Sequence, residues 1–320
     1  MGIKEKISPK QFILPIVFFV IFLGIALSTW LSTGYIFYLF NFGYIGFSIC
    51  FAMVLDIVLP RKHKPWGRRV SQLLVGCYML IFLGVFGREN MQIEGFFMYV
   101  LLGLFAAAAM HYVIAKIVGP LVFGRAWCGY ACWTAMILDL LPYKIPKGGR
   151  LRYYGLLRYL HFFLSLGLIL IIWFIFERRP VYQSVEELYW LTAGNLIYYA
   201  VGIALAFKLQ DNRAFCKYAC PIPVLQKIGS RFSLMKVKIN KDKCNFCGVC
   251  EKVCPMNVKL LDYKELDKRV LSTECIICST CINSCPKRAI SITFGLDAGL
   301  AERLDFVDRG STIINPTFKG

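Results

Sequence analysis

Eight cysteines within residues 244–286 constrain this chain more than any other feature. Cys244, Cys247, Cys250 and Cys254 run up to Pro255, and Cys275, Cys278, Cys281 and Cys285 run up to Pro286. Each half reads C-x2-C-x2-C-x3-C-P. The close trio sits in a tight turn, where three thiolates hold three irons of a cubane, and the fourth cysteine is aimed away to ligate the other cluster. The spacing predicts cluster A on Cys244, Cys247, Cys250 and Cys285. It predicts cluster B on Cys275, Cys278, Cys281 and Cys254. Structural zinc is the competing reading, but zinc sites use pairs separated by a longer loop and would leave one cysteine of each trio idle.

The two halves form an internal repeat. Residues 256–261, 268–272 and 289–293 read as short strands around the cysteine runs. So small a unit has few core side chains, and bound clusters act as its core. Residues 236–295 resemble a bacterial two-cluster ferredoxin domain, which implies two 4Fe–4S clusters.

The remaining length is unlike a soluble protein. Of 320 residues, 58% are apolar and 18% charged, a balance that points to a membrane protein. Six apolar spans are predicted, over 12–31, 35–59, 70–86, 96–118, 156–176 and 189–207. The first is too long for a signal-peptide core and reads as a retained helix. Six spans place both termini on one side. The loops on that side hold thirteen Lys and Arg, against three on the other. The positive-inside rule then sets both termini and the ferredoxin unit in the cytoplasm, with the spans in the cytoplasmic membrane. Reduced, ligand-spaced cysteines agree with that compartment. The net charge of +18 lies largely in these short loops, so it acts as a topology signal and nucleic acid is not an expected partner.

A second pair of cysteine motifs lies outside the ferredoxin unit. Residues 125–132 read RAWCGYAC and residues 213–220 read RAFCKYAC, with Pro221 following. Six of eight positions are identical; Trp127 pairs with Phe215 and Gly129 with Lys217. Each octet follows a span, so the membrane part reads as a duplicated unit. On a helical turn, C-x3-C spacing puts two thiols on one face. Cys128, Cys132, Cys216 and Cys220 together offer four thiolates. These suit a third iron–sulfur cluster or a soft metal such as Cu(I) or Zn. Redox-active dithiols and plain packing remain open. Arg125 and Arg213 stand where they favour thiolates or offset the charge of a cluster.

His111 and His161 fall in the fourth and fifth spans at comparable depth. Haem ligation, a quinone site and simple hydrogen bonding to a neighbouring helix all stay open, haem having the least support. Cys50 and Cys77 have no partner at ligand spacing and read as packing. No P-loop, dinucleotide fingerprint or H-E-x-x-H is present.

The multi-spanning part, the two C-x3-C motifs and the C-terminal ferredoxin unit together resemble the NapH/NosR/CcoG-type membrane polyferredoxins over about residues 12–295. The resemblance implies electron transfer at the cytoplasmic membrane, linked to quinol and to a partner redox protein or oxidoreductase subunits. Cys132 is followed by Trp133 rather than Pro, so the first motif departs from the pattern. The resulting expectation is an all-α membrane domain over residues 1–235, a small α+β ferredoxin domain over 236–295 and a tail over 296–320 that holds a short helix at 298–307. The expected function is electron relay between a cytoplasmic donor or the quinone pool and a partner. Copper reduction and assembly on the C-x3-C thiolates, or redox sensing, are the alternatives.

Overall fold

The structure, a computed structural model, describes residues 8–297 apart from 62, 106 and 178–180, and residues 302–307. Among the described residues, five helices are long and apolar enough to cross a membrane: Pro9–Thr33, Phe37–Val58, Lys64–Phe86, Tyr154–Phe174 and Val185–Leu209. At 1.5 Å per residue, 21 to 25 residues span the ~30 Å hydrocarbon layer. Large apolar side chains such as Ile13, Val20, Phe47 and Phe163 are exposed along them, as lipid-facing positions are. The protein is a multi-pass membrane protein.

Helices α1 (Ile13–Thr33) and α2 (Phe37–Val58) form a hairpin. Gly34 turns it, with its φ of 73° in the left-handed region. Helix α3 (Lys64–Cys77) begins six residues before its expected span, with Pro65 in the first turn, where its missing N–H costs nothing. It continues as a π-helix over Tyr78–Phe86.

The fourth span is where expectation and structure part. Residues 96–118 are not one helix. Helix α4 (Ile93–Leu101) ends at a turn around Gly103, whose φ is +68°. The chain then resumes as α5 (Ala107–Tyr112), a π-helix (Val113–Val118) and α6 (Gly119–Phe123). The apolar run hides this break because a left-handed glycine turn leaves no mark on hydropathy. The irregular segment before α4 is sheltered by protein: Glu89, Asn90, Met91 and Gln92 are all buried. Irregular backbone at membrane depth is tolerated only under such cover.

Helices α7 (Ala126–Tyr130) and α8 (Trp133–Leu138) follow in what reads from sequence as a long loop. Helices α9 (Leu157–Phe174) and α10 (Val185–Leu209) are the last two spans. The side chain of Ser184 caps α10 by accepting from the Glu187 N–H, the first half of a capping box. Helices α11 (Ala214–Tyr218) and α12 (Ile222–Arg231) lead out of the membrane part.

The ferredoxin unit closes on one antiparallel pair, β1 (Met235–Ile239) with β2 (Ile290–Phe294), Val237 opposite Ile292. Strand β2 lies where a strand is expected at 289–293. The strands expected at 256–261 and 268–272 do not form. The first of these segments runs into α14 (Leu260–Glu265), which follows the short α13 (Val249–Lys252). The second is extended, and the Val270 N–H donates to the Val237 carbonyl at 2.7 Å without a ladder. Alternation of apolar residues here serves cysteine loops, not pleats. The last helix is α15 (Thr280–Ser284). Of the helix expected at 298–307, residues 302–307 are instead extended, with Leu304 bridging Val258 and Phe306 bridging Arg150; 298–301 and the tail 308–320 lie outside the described residues. The domain core includes Val237, Met256, Val258, Tyr263 and Ile277, and Cys128 joins it from the membrane side.

Candidate iron–sulfur centres

Two cavities gather eight of the cysteines. One lies inside the ferredoxin unit, where Cys254, Cys275, Cys278 and Cys281 face one another with Val237, Met256 and Ile276. The other lies at the foot of the membrane helices and is lined by Cys128, Cys132, Cys216 and Cys220. Cys244, Cys250 and Cys285 pack in the ferredoxin core, while Cys247 is exposed. None of these is in a disulfide.

Local structure explains the second cavity. Cys128 sits in α7 and Cys132, already extended at ψ 121°, precedes α8. Cys216 sits in α11, and Cys220 precedes Pro221 and α12. Each octet is thus one helical turn, a break, and a second helix starting at the next residue or two. Burial pushes the Cys216 thiol up to about 11 and the Cys220 thiol well above the ordinary value of 9.0, and negative charge on neighbouring thiols adds to the shift. Burial also raises the Cys275 thiol to about 12 and that of Cys254 to about 11.

The two octet arginines do not point freely at the thiols. Arg213 grips Asp139 with two nitrogens, at 2.7 and 2.6 Å, and reaches the Cys128 carbonyl at 3.0 Å and Cys216 Sγ at 3.8 Å. Arg68 shares the same carboxylate at 2.7 Å. Burial opposes the charge on Asp139, and the two guanidinium groups override it, holding the carboxyl at about 2. Arg125 instead crosses to the ferredoxin unit and pairs with Glu274 at 2.9 Å. Arg150, Arg158 and Lys227 reach that same carboxylate at 3.2, 2.8 and 2.8 Å. Four cations converge on one buried acid, directly before Cys275. Burial works against the charge of Glu274, yet its neighbours hold it well below the usual carboxylate range.

The position at which the octets differ is now explained. Gly129 touches the loop between Cys275 and Cys278: a Cβ there would stand 2.4 Å from the Ile276 carbonyl oxygen. Lys217, its counterpart, is fully buried, pairs with Asp211 at 2.6 Å and donates to the Asn257 side chain. One octet needs no side chain there and the other needs a long cation.

The family model described as a 4Fe-4S dicluster domain matches residues 236–286, and the model described as a 4Fe-4S binding domain matches residues 105–148 and 195–241. The second model covers both octets. MJ0750 of Methanocaldococcus jannaschii, which carries no functional name, is 30% identical over 195 residues, 57% of this chain and 77% of its own length. YccM of Escherichia coli, provisionally named as an electron transport protein, is 29% identical over 64% of this chain and 60% of its own. The ferredoxin-type protein NapH of Haemophilus influenzae is 26% identical over 54% of this chain and 63% of its own. The chain belongs to the ferredoxin-type 4Fe-4S membrane proteins. Membrane iron–sulfur electron transfer is the function this membership carries. No solved structure matches the chain.

As in any ferredoxin-type protein, the donor set must suit an inorganic core. Among the described residues, no three His, Cys, Asp or Glu side chains converge on a point that would hold one metal ion. Zinc thiolates all lie ~2.3 Å from a single ion. Four thiols line each of the two cavities. Gln92 Nε2 and Arg125 Nε and Nη2 are buried without hydrogen-bond partners, on residues that line the membrane-face cavity.

The two histidines flank this cavity from different directions. His111 packs on Trp127 at 4.8 Å and near Trp133 at 6.2 Å. His161 has Nδ1 2.7 Å from the Ala219 carbonyl and Nε2 3.4 Å from the Tyr198 hydroxyl. Both nitrogens of His161 are engaged within the protein, which favours an orienting role over metal ligation.

Proposed function

We propose that the chain is an electron relay with three 4Fe–4S clusters, two in the ferredoxin unit and one at the membrane face. Cluster A takes Cys244, Cys247, Cys250 and Cys285; cluster B takes Cys254, Cys275, Cys278 and Cys281. The third takes Cys128, Cys132, Cys216 and Cys220. Bound clusters supply reversible one-electron chemistry. The protein's residues supply fixed spacing, burial and charge. The single observation that carries the reading is the contact of Gly129 with the Ile276 carbonyl, which sets the membrane-face cavity against the loop of cluster B.

Burial of Cys132, Cys216 and Cys220 weighs against dithiol chemistry in the membrane-face set. A redox dithiol works through a low-pKa thiolate. Buried thiols lose their protons to a metal core instead. The surplus of positive charge around Glu274, four cations on one carboxylate, suits a place between two anionic clusters.

In this reading the ferredoxin unit faces the cytoplasm and the helices cross the cytoplasmic membrane. Electrons pass between a cytoplasmic donor or quinone and a partner redox protein. Lys241, Lys243, Lys252 and Lys287 offer an acidic partner a basic rim on the ferredoxin unit.

The test is iron and acid-labile sulfide per chain in anaerobically purified protein, beside the Cys128→Ser/Cys216→Ser variant. About twelve irons falling to about eight is expected. About eight in both removes the third cluster.

A further inference from the structure

We infer that Lys116 is the residue that sets the electron affinity of the membrane-face cluster, acting as its uncompensated counter-charge. The inference rests on the three-cluster reading above.

Three cations line the membrane-face cavity: Lys116, Arg125 and Arg213. Arg125 is ion-paired with Glu274 and Arg213 with Asp139, each carboxylate being shared with other cations. For Lys116, only 3% exposed, no carboxylate among the described residues lies within ion-pairing distance. Its ammonium stands 4.8 Å from the Trp127 ring centre and 6.0 Å from that of Trp133. Ring faces attract a cation but replace little of its lost hydration. A buried ammonium without a counter-charge is costly and persists where something anionic repays it. The anionic candidates on the cavity wall are the four thiolates with their core.

The backbone around Lys116 is built for this placement. The residue sits in the π-helix Val113–Val118, within a helix otherwise of α form. A π segment rotates the following side chains relative to an α-helical path, and such segments concentrate at functional sites. Trp127 and Trp133, one residue from Cys128 and Cys132, hold the ammonium in place from the octet side. The ferredoxin cavity around Cys254, Cys275, Cys278 and Cys281 has no lysine on its wall by comparison.

A fixed positive charge beside a cluster favours its reduced, more negative form. Removing it lowers that one midpoint and leaves the others alone. The experiment is an EPR-monitored redox titration of the full chain, with iron per chain, for wild type, Lys116→Gln and Lys116→Arg. In Lys116→Gln, the membrane-face cluster is expected to lose about tenfold in its equilibrium constant for electron uptake, about 59 mV for one electron. The two ferredoxin midpoints stay, and Lys116→Arg restores the first. Four irons lost in Lys116→Gln but kept in Lys116→Arg also support the proposal, since charge would then be needed to hold the core. An unshifted midpoint with full iron in Lys116→Gln overturns it, as does an equal shift of all three. Failure of the underlying reading shows separately, as about eight irons in wild type.

Discussion

Gly129 lies against the carbonyl oxygen of Ile276, so close that a Cβ would come within 2.4 Å of that oxygen. The first residue stands between the cysteines of one membrane-face pair. The second stands between Cys275 and Cys278 of the ferredoxin unit. Two cysteine sites separated by well over a hundred residues of sequence thus meet backbone to backbone, and the approach is possible only because one partner is glycine.

Gly129→Ala tests that contact. The obstruction is backbone, which yields poorly, so overpacking on the order of 1–3 kcal/mol is expected. Iron content should be unchanged, because no ligand is touched. Magnetic coupling between cluster B and the membrane-face cluster, read by EPR, should weaken, and internal electron transfer should slow. Unchanged coupling would show that the contact does not set the spacing.

Glu274→Gln tests the clamp. The amide keeps the shape but leaves Arg125, Arg150, Arg158 and Lys227 facing one another with no acid among them. Breaking a buried pair by losing one partner costs about 3–5 kcal/mol. Hydrogen exchange of the 276–278 loop should rise several-fold while exchange within α1 and α2 stays as it is. Equal exchange in the variant would mean that packing alone holds the ferredoxin unit down.

Asp139 gives a pH signature. Its carboxyl is held at about 2, below the ordinary 3.8. A depressed folded value contributes stability that is fully present above the unfolded value and disappears as pH falls through the folded one. The stability gap between wild type and Asp139→Asn should therefore be flat from neutral pH down to about 4 and close between about 4 and 2. The shift alone corresponds to about 2 kcal/mol. Unfolding of the iron-free protein in detergent measures it, and a gap that closes already near pH 5 would contradict the pairing with Arg213 and Arg68.

The cysteines were the most legible part of the chain. Their spacing is a short-range property, and the structure gathers Cys254 with the second trio and sets the two octets around one cavity. Five of six spans were legible because hydropathy over some twenty residues reports burial in lipid directly. The break at Gly103 was not, since a turn inside an apolar run changes direction without changing composition. The signal was there in a glycine followed by a second apolar stretch, but helical glycines in the chain look the same. Asp139 and Glu274 were missed because each is an isolated acid in sequence. Only the fold shows that arginines from three separate segments end on Glu274. The Gly129 and Lys217 difference was visible, and its meaning was not, because it depends on what the other domain places opposite.

The crowd of cations at Glu274 also bears on how the two halves of the chain hold together. Arg125, Arg150 and Arg158 precede Glu274 in the chain, and all four are buried together in the folded protein. Without Glu274 in place the three guanidinium groups lack the carboxylate they share, and a buried charge without its partner is costly. A single carboxylate late in the chain thus ties together three arginines that precede it.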